Sequence, residues 1–451
     1  MIKSLLLIIL LILTNCSFDN KTGIWKNKNS KLISKQEDRF KDFKKLYTED
    51  ESFEEIIEPS EDLDISVSKT KINLKWPDEF YKDSNNLDNF SYKNLNRVIF
   101  KSKKLSQYKV NEKILFDGEN IIINDEKGNI IIYSVEKQEV VYKYNFYKKR
   151  YKKLKKKLNI IIENSVIYVS DNIGYFYSLN YKNKKLLWAK NYKIPFRSNI
   201  KIFENKIILA DQNNVSYLIN KSNGDRLKII PTENVKLKNE FINSLALLDD
   251  SFFFLNTYGS LYSINNKDHR IQWFTNFNQS IDLNSSNLFY SNPILLNDNK
   301  ILVSTDPYLY VLNSNNGTVI SKSSITSIVK PIISGKGVFL ITKDNLLVYK
   351  KLNSKKIIYS INIPEKIANY LNTKKKSISV KSLFIVNNDL FIFLENSYLL
   401  QFSKEGKIKK INKLPDQLGT SPIFINNSII YLNKKNRLII TTRDFSESEI
   451  S

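Results

Sequence analysis

From residue 110 onward, apolar and polar positions recur in short units. The clearest copy runs Ser165-Val166-Ile167-Tyr168-Val169-Ser170, then Asp171-Asn172-Ile173-Gly174, then Tyr175-Phe176-Tyr177-Ser178-Leu179-Asn180, and after a second turn Lys185-Leu186-Leu187-Trp188. β-Branched and aromatic residues fill the segments, while Asn, Asp, Gly and Lys fill the gaps. That pattern predicts strand, turn, strand, turn, strand. Equivalent turns begin at Asp125, Asp171, Asp211, Asn256, Asp306, Asp344, Glu395 and Asn433, a spacing of about 44 residues. No segment in this region keeps a 3.6-residue apolar rhythm over a helical length.

A unit of this size cannot bury both faces of its own sheet. Arranging eight units radially packs sheet on sheet and leaves only short edges. The expected fold is therefore all-β: an eight-bladed β-propeller of four-stranded blades. The eighth copy supplies three strands, near residues 422–426, 428–432 and 437–442. Its outer strand is expected from Arg97-Val98-Ile99-Phe100-Lys101-Ser102, which closes the ring by joining the two ends of the domain. The expected organisation is residues 1–15 as an export signal, 16–95 as a flexible charged tether, 96–443 as the propeller and 444–451 as a tail.

The amino-terminal segment carries a different signal. Lys3 precedes an apolar stretch from Leu5 to Leu13. A membrane-spanning helix needs about 20 apolar residues, so this stretch fits the core of an export signal instead. Leu13-Thr14-Asn15-Cys16 resembles a lipobox, although Asn15 stands where such signals usually carry Gly or Ala. The resemblance implies cleavage before Cys16 and attachment of lipid to its sulfur, with several acyl chains giving stable anchoring. Ser17 follows, in place of the Asp that resembles an inner-membrane retention signal. The expected location is the periplasmic face of the outer membrane. Residues 17–95 lack sustained periodicity and include an acidic block from Glu49 to Asp64, composition that usually stays solvated.

Composition narrows the chemistry. The single cysteine excludes an internal disulfide, and the single histidine, His269, removes His-based metal clusters and Ser-His-Asp triads. His269 lies in a predicted turn. No Gly-rich phosphate loop, HExxH or CxxC occurs. Recurrent Asp125, Asp171, Asp211 and Asp306 sit at turns, where carboxylates satisfy backbone amides. The formal charge of +24 suits a polyanionic partner and also fits a Lys-, Asn- and Ile-rich composition. Nucleic acid is not an expected partner of an exported protein. Residues 148–157 are the most basic stretch, with Tyr147, Tyr151, Leu154 and Leu158 at helical spacing. They predict a short basic amphipathic helix between the first and second blades, facing anionic lipid, an acidic protein surface or solvent.

The repeats resemble pyrroloquinoline-quinone-type propeller repeats in Tyr177-Ser178-Leu179-Asn180 to Trp188, in Tyr262-Ser263-Ile264-Asn265 to Trp273, and in Tyr310-Val311-Leu312-Asn313 with Asn316-Gly317. Together with the lipobox they resemble the BamB family, the lipoprotein of the outer-membrane β-barrel assembly machine. That resemblance implies a non-enzymatic scaffold binding the periplasmic POTRA domains of BamA, with no catalytic residues, no metal, no cofactor and no small-molecule substrate. Family contacts come from an apolar-x-apolar-basic stretch before the fourth repeat, which carries over to Val235, Leu237 and Lys238. The family's acidic contacts before the fifth repeat have no counterpart in Leu288-Phe289-Tyr290-Ser291-Asn292-Pro293. The alternatives are a periplasmic propeller that binds another protein or ligand, and a quinone-dependent dehydrogenase built from the same repeats.

Overall fold

The computed structural model describes residues 53–93, 97–233, 244–278 and 289–441, together with the backbone of two short strands nearer the amino terminus. The chain divides into two units, Met1–Glu51 and Ser52–Ser451. In the first, Cys16–Phe18 pairs antiparallel with Trp25–Asn27.

The second unit contains eight blades, the expected eight-bladed propeller: each has four antiparallel strands, blade 7 is extended to six by the short parallel strands Thr70–Lys71 and Asn89–Phe90, and blade 8 takes its fourth strand from ahead of blade 1. Blade 2 is typical, with strands Leu158–Glu163, Val166–Asp171, Tyr175–Asn180 and Lys185–Asn191 in that order. Its three inner strands are buried almost throughout, whereas Lys185–Asn191 alternates between exposed and partly covered positions, with only Trp188 buried. Inner strands covered on both faces need continuous apolar runs, and outer strands need only every second residue apolar. In all eight blades the register shifts between the third and fourth strands, as at Ser178/Leu179 and Ser263/Ile264. Bulges at such shifts increase the local twist.

The recurrent turn residues act as their chemistry predicts. Asp171 Oδ1 accepts from the amides of Ile173, Gly174 and Tyr175, and Asn433 Oδ1 accepts from those of Lys435 and Arg437. In blades 5 and 6 the turn begins at Thr305 and Thr342, slightly ahead of the expected Asp306 and Asp344. Neighbouring blades are keyed together by aromatics. Trp188 Nε1 donates to the Lys221 carbonyl of blade 3, and Trp273 Nε1 donates to the Ser314 carbonyl of blade 5. Gly224 and Gly317 lie directly beneath these rings, where a Cβ would approach within 2.6 and 2.4 Å.

The closing strand is Val98–Lys104, hydrogen-bonded to Arg437–Thr441 as the outer strand of blade 8. Ser102 Oγ also accepts from the Leu438 amide at 2.8 Å. Two local expectations need correction. Residues 148–157 contain only a 3₁₀ turn at Lys149–Tyr151, because Leu158 is drawn into the inner strand of blade 2 and Lys156 is buried. One α-helix, α1 (Ile363–Leu371), joins blades 6 and 7, capped by the Asn362 side chain accepting from the Glu365 amide.

The larger correction concerns the tether. Its described part, residues 53–93, belongs to the propeller unit. Trp76, Tyr81, Leu87, Phe90 and Tyr92 are buried in the main core. The acidic block also engages the ring in part. Ile57 exchanges two backbone hydrogen bonds with Ser360 on the outer strand of blade 6, Glu58 pairs with Lys366, and Asp64 pairs with Lys404. Aromatic side chains that can be buried outweigh the solvation of the flanking charges.

Candidate binding face and axial channel

Residues 73–90 form a strap that follows the inside of the ring and meets the inner strand of every blade in turn. Asn73 Nδ2 donates to the Phe424 carbonyl of blade 8 at 2.9 Å. Trp76 exchanges backbone bonds with Phe116 of blade 1. Pro77 accepts from the Ile162 amide of blade 2, and Glu79 Oε1 accepts from the Ile160 amide. Lys201 of blade 3 reaches in to Asp78 and to the Lys82 carbonyl. Asp83 and Ser84 accept from Leu247 of blade 4 and Leu296 of blade 5. Asn85 Nδ2 bridges the carbonyls of Leu245 and Ile294, both at 2.9 Å. Asn86 makes a two-way amide pair with Ile333 of blade 6. Asn89–Phe90 then runs parallel to Ile385–Val386 of blade 7.

This arrangement answers a chemical need. The inner strands line an axis too narrow for another sheet, yet their outermost carbonyls and amides require partners. Side-chain amides such as those of Asn85 and Asn86 both donate and accept, so they fit a lining that changes direction at each blade. At the hub, Trp76, Tyr81 and Phe90 pack with centroids 4.6–5.6 Å apart, and Phe90 stacks on Phe424.

Charges are buried here too. Lys201 and Asp78 pair at 2.6 Å with side-chain exposures of 0% and 3%. Lys330 Nζ donates to the Phe80 and Asn85 carbonyls; burial, then the nearby Lys113, pushes its ammonium well below the usual range. Glu79 keeps some contact with solvent but is surrounded by protein. Burial raises its carboxyl to about 7, against the opposing hydrogen bond from Ile160, with Asp78 adding to the rise.

Beside the strap lies a cavity of about 370 Å³ whose walls include Phe80, Lys113, Tyr290, Ile328, Lys330 and Phe384. In each blade the first strand starts at the same end of the ring, and the connections between blades cross that end. Among the described residues, no cluster of three or more His, Cys, Asp or Glu side chains is arranged to hold a metal ion.

The predicted partner residues Val235, Leu237 and Lys238 fall in residues 234–243, outside the described residues. The anchorage of that connection is described. Thr232 Oγ1 donates to the Asn214 carbonyl. The Glu233 carboxylate accepts from Asn256, Ser260 and Tyr262 at 2.6–2.7 Å. Burial alone would raise the Glu233 pKa, but these bonds hold it below its ordinary value. On the far side, Ser244 Oγ accepts from the Ile294 amide. The connection before blade 5 reaches the same face. Phe289 packs on Gly259, its amide donates to Thr257, and Tyr290 stands 66% exposed. The two connections singled out from the sequence therefore leave the ring on either side of blade 4. Cys16 lies in the short amino-terminal strand pair. His269 occupies a turn with positive φ, as expected.

The fold defines a class: this is an eight-bladed β-propeller. No family model matches the sequence, and no curated protein matches it. Solved structures do. The chain is similar to BamB from Moraxella catarrhalis, with TM-score 0.58 and 11% identity over 75% of this chain and 98% of that one. It is also similar to a europium-containing methanol dehydrogenase, with TM-score 0.58 and 10% identity over 81% and 89% of the two chains. A third is the quinohemoprotein alcohol dehydrogenase from Comamonas testosteroni, with TM-score 0.59 and 9% identity over 82% and 81%. At such identities the likeness establishes the propeller, which scaffolds and enzymes share.

Proposed function

We propose that this propeller is a non-enzymatic scaffold of the BamB kind, held by lipid on Cys16 at the periplasmic face of the outer membrane. Its partner is the POTRA region of a BamA-type barrel-assembly protein. The observation that carries the reading is the strap. Residues 73–90 occupy the inner wall of the ring and engage all eight blades, which supports outer faces as the working surface. The recurrent Asp171 and Asp211 carboxylates support the same reading, because each is engaged by turn amides and a tyrosine hydroxyl. The face flanking blade 4 is the binding surface, with Val235, Leu237 and Lys238 as its contacts.

The test is capture from the native bacterium with the full chain as bait. BamA should be recovered, and Leu237→Ala with Lys238→Ala should reduce recovery while leaving the melting temperature within about 1 °C. Truncating a true interface hot spot costs roughly 2 kcal/mol or more. Capture of other proteins without BamA, or undiminished capture by the double variant, overturns the assignment. Labelled palmitate should enter the parent protein and not Cys16→Ala.

A further inference from the structure

The basic stretch at residues 148–157 is neither a helix nor a loose coil. Its return from blade 1 to blade 2 is fixed at several points. Phe146 stacks on Tyr177 at 4.5 Å. The Tyr147 hydroxyl donates to Asp171 at 2.6 Å, and the Tyr151 and Tyr175 hydroxyls lie 3.0 Å apart. The Lys156 amide donates to the Glu126 carbonyl, and the Lys157 amide to Asn172 Oδ1. Held this way, Lys152 and Lys156 face Lys127 across a pocket of about 400 Å³, walled by Tyr108, Tyr147 and Asn129. Gly128 makes the wall possible, since a Cβ there would meet the Tyr147 ring at 2.4 Å.

The charges in the pocket are one-sided. Lys156 Nζ donates to the Tyr151 carbonyl and sits 5.1 Å from the Tyr147 ring centre. Lys127 Nζ lies 5.7 Å from the centre of Tyr108. No carboxylate lines the pocket. The closest ones stand behind the wall, where Asp125 and Asp171 attract Lys156 while bonded to Ser106, Asn129 and turn amides and to Tyr147 and turn amides; Glu126 lies near Lys155. Burial and then the neighbouring Lys127 depress the Lys156 ammonium, and the attraction of an anion in the pocket would oppose that depression.

We infer that this pocket binds the phosphate group of an anionic phospholipid head. Three lysines lining one pocket, with Lys156 bonded to the Tyr151 carbonyl and Lys127 and Lys152 beside it, suit a compact anion. The surroundings favour a membrane source over a free ion. Leu154 is 51% exposed between Lys153 and Lys155, and Tyr108 is 43% exposed at the pocket wall. Apolar and aromatic tips set among lysines suit the boundary between head groups and acyl chains. The site does not depend on the scaffold reading, and its test does not measure partner capture.

The full chain in a neutral detergent would be titrated calorimetrically with dihexanoyl-phosphatidylglycerol, dihexanoyl-phosphatidylcholine and inorganic phosphate. The glycerol lipid should bind at least about tenfold more tightly than the choline lipid. Lys127→Gln with Lys152→Gln should weaken it by roughly tenfold or more, with an unchanged melting temperature, and the corresponding arginine pair should retain binding. Lys355→Gln with Lys356→Gln, exposed lysines on blade 6, should change nothing. Equal binding of both lipids, equal loss in the blade 6 control, or binding of inorganic phosphate alone overturns the lipid assignment.

Discussion

The Lys201–Asp78 pair gives the sharpest test of the strap. Both side chains are sealed from water, the ions are 2.6 Å apart, and each has only one further hydrogen bond. Lys201 donates to the Lys82 carbonyl at 2.8 Å, and Asp78 Oδ1 accepts from the Phe80 amide at 2.7 Å. Removing one partner leaves a buried charge without its direct counterion, only the more distant Glu79 and Asp83 acting on Lys201 and Lys330 on Asp78, which costs about 3–5 kcal/mol, whereas removing both charges together costs far less. Asp78→Asn keeps the acceptor for Phe80, and Lys201→Met keeps most of the side-chain volume. Each single variant should therefore lose about 3–5 kcal/mol. The double variant should fall short of their sum by about 3 kcal/mol or more, the signature of direct coupling. With an unfolding entropy of about 0.8 kcal/mol/K for about 390 residues, each single change should lower Tm by roughly 4–6 °C. Urea and thermal unfolding of the full chain measure this. Singles that cost under about 1 kcal/mol, or a strictly additive double variant, would refute the claim that the strap is locked to the ring by this ion pair.

Two further outcomes follow from the geometry. Replacing residues 98–104 with Gly-Ser repeats of equal length should destabilise the whole propeller by several kcal/mol, because blade 8 loses its outer strand; a variant that melts like the parent would show that this strand does not close the ring. Glu79 has a folded pKa of about 7 against an ordinary 4.5, so between those values the native state holds a proton that the unfolded chain has released. Stability should fall as pH rises through that window, and Glu79→Gln, which keeps the acceptor for Ile160, should flatten the dependence of the urea midpoint between pH 5 and pH 8.

Eight blades were legible because the inner strands of every blade share one environment. Positions such as Ile167 and Val169 in blade 2, or Leu302 and Val311 in blade 5, face neighbouring sheets and stay apolar in each copy. The closing strand was legible as the missing fourth member of blade 8. The strap was not, because it passes from blade to blade every few residues and no period is imposed on it. Its bonds come from single backbone groups and from Asn73, Asn85 and Asn86, residues that also mark loops. The acidic block before it looked solvated, although Trp76, Tyr81, Phe90 and Tyr92 are an unusual aromatic load for a tether. The helix α1 carried its own start signal in Asn362-Ile363-Pro364-Glu365, hidden inside an otherwise β-rich repeat. For the proposed binding face, the sequence located two connections that the ring places beside blade 4, while the lysines of the pocket at residues 127, 152 and 156 were visible only as an overall basic run. Their convergence depends on Tyr147 and Gly128, which no spacing rule links to Lys127.

The route of the strap also decides how the molecule would carry a mechanical load. Tension applied ahead of residue 53 would first reach the Ile57–Ser360 bridge and the Glu58–Lys366 pair at the rim. From there the force would pass to Ser68 on Ser334 of blade 6 and to Thr70–Lys71, which pairs with Asn89–Phe90 beside blade 7, then to Asn73 at blade 8 and on through the strap contacts of blades 1 to 6. A pull from that side would detach one blade contact at a time, with the buried Lys201–Asp78 pair as an early obstacle. Only after the full circuit would it reach Val98–Lys104, the strand that holds the ring shut. Resistance to pulling is governed by the unfolding rate. A propeller laced in this way would yield in steps around its axis, and its closing strand would be the last to feel the strain.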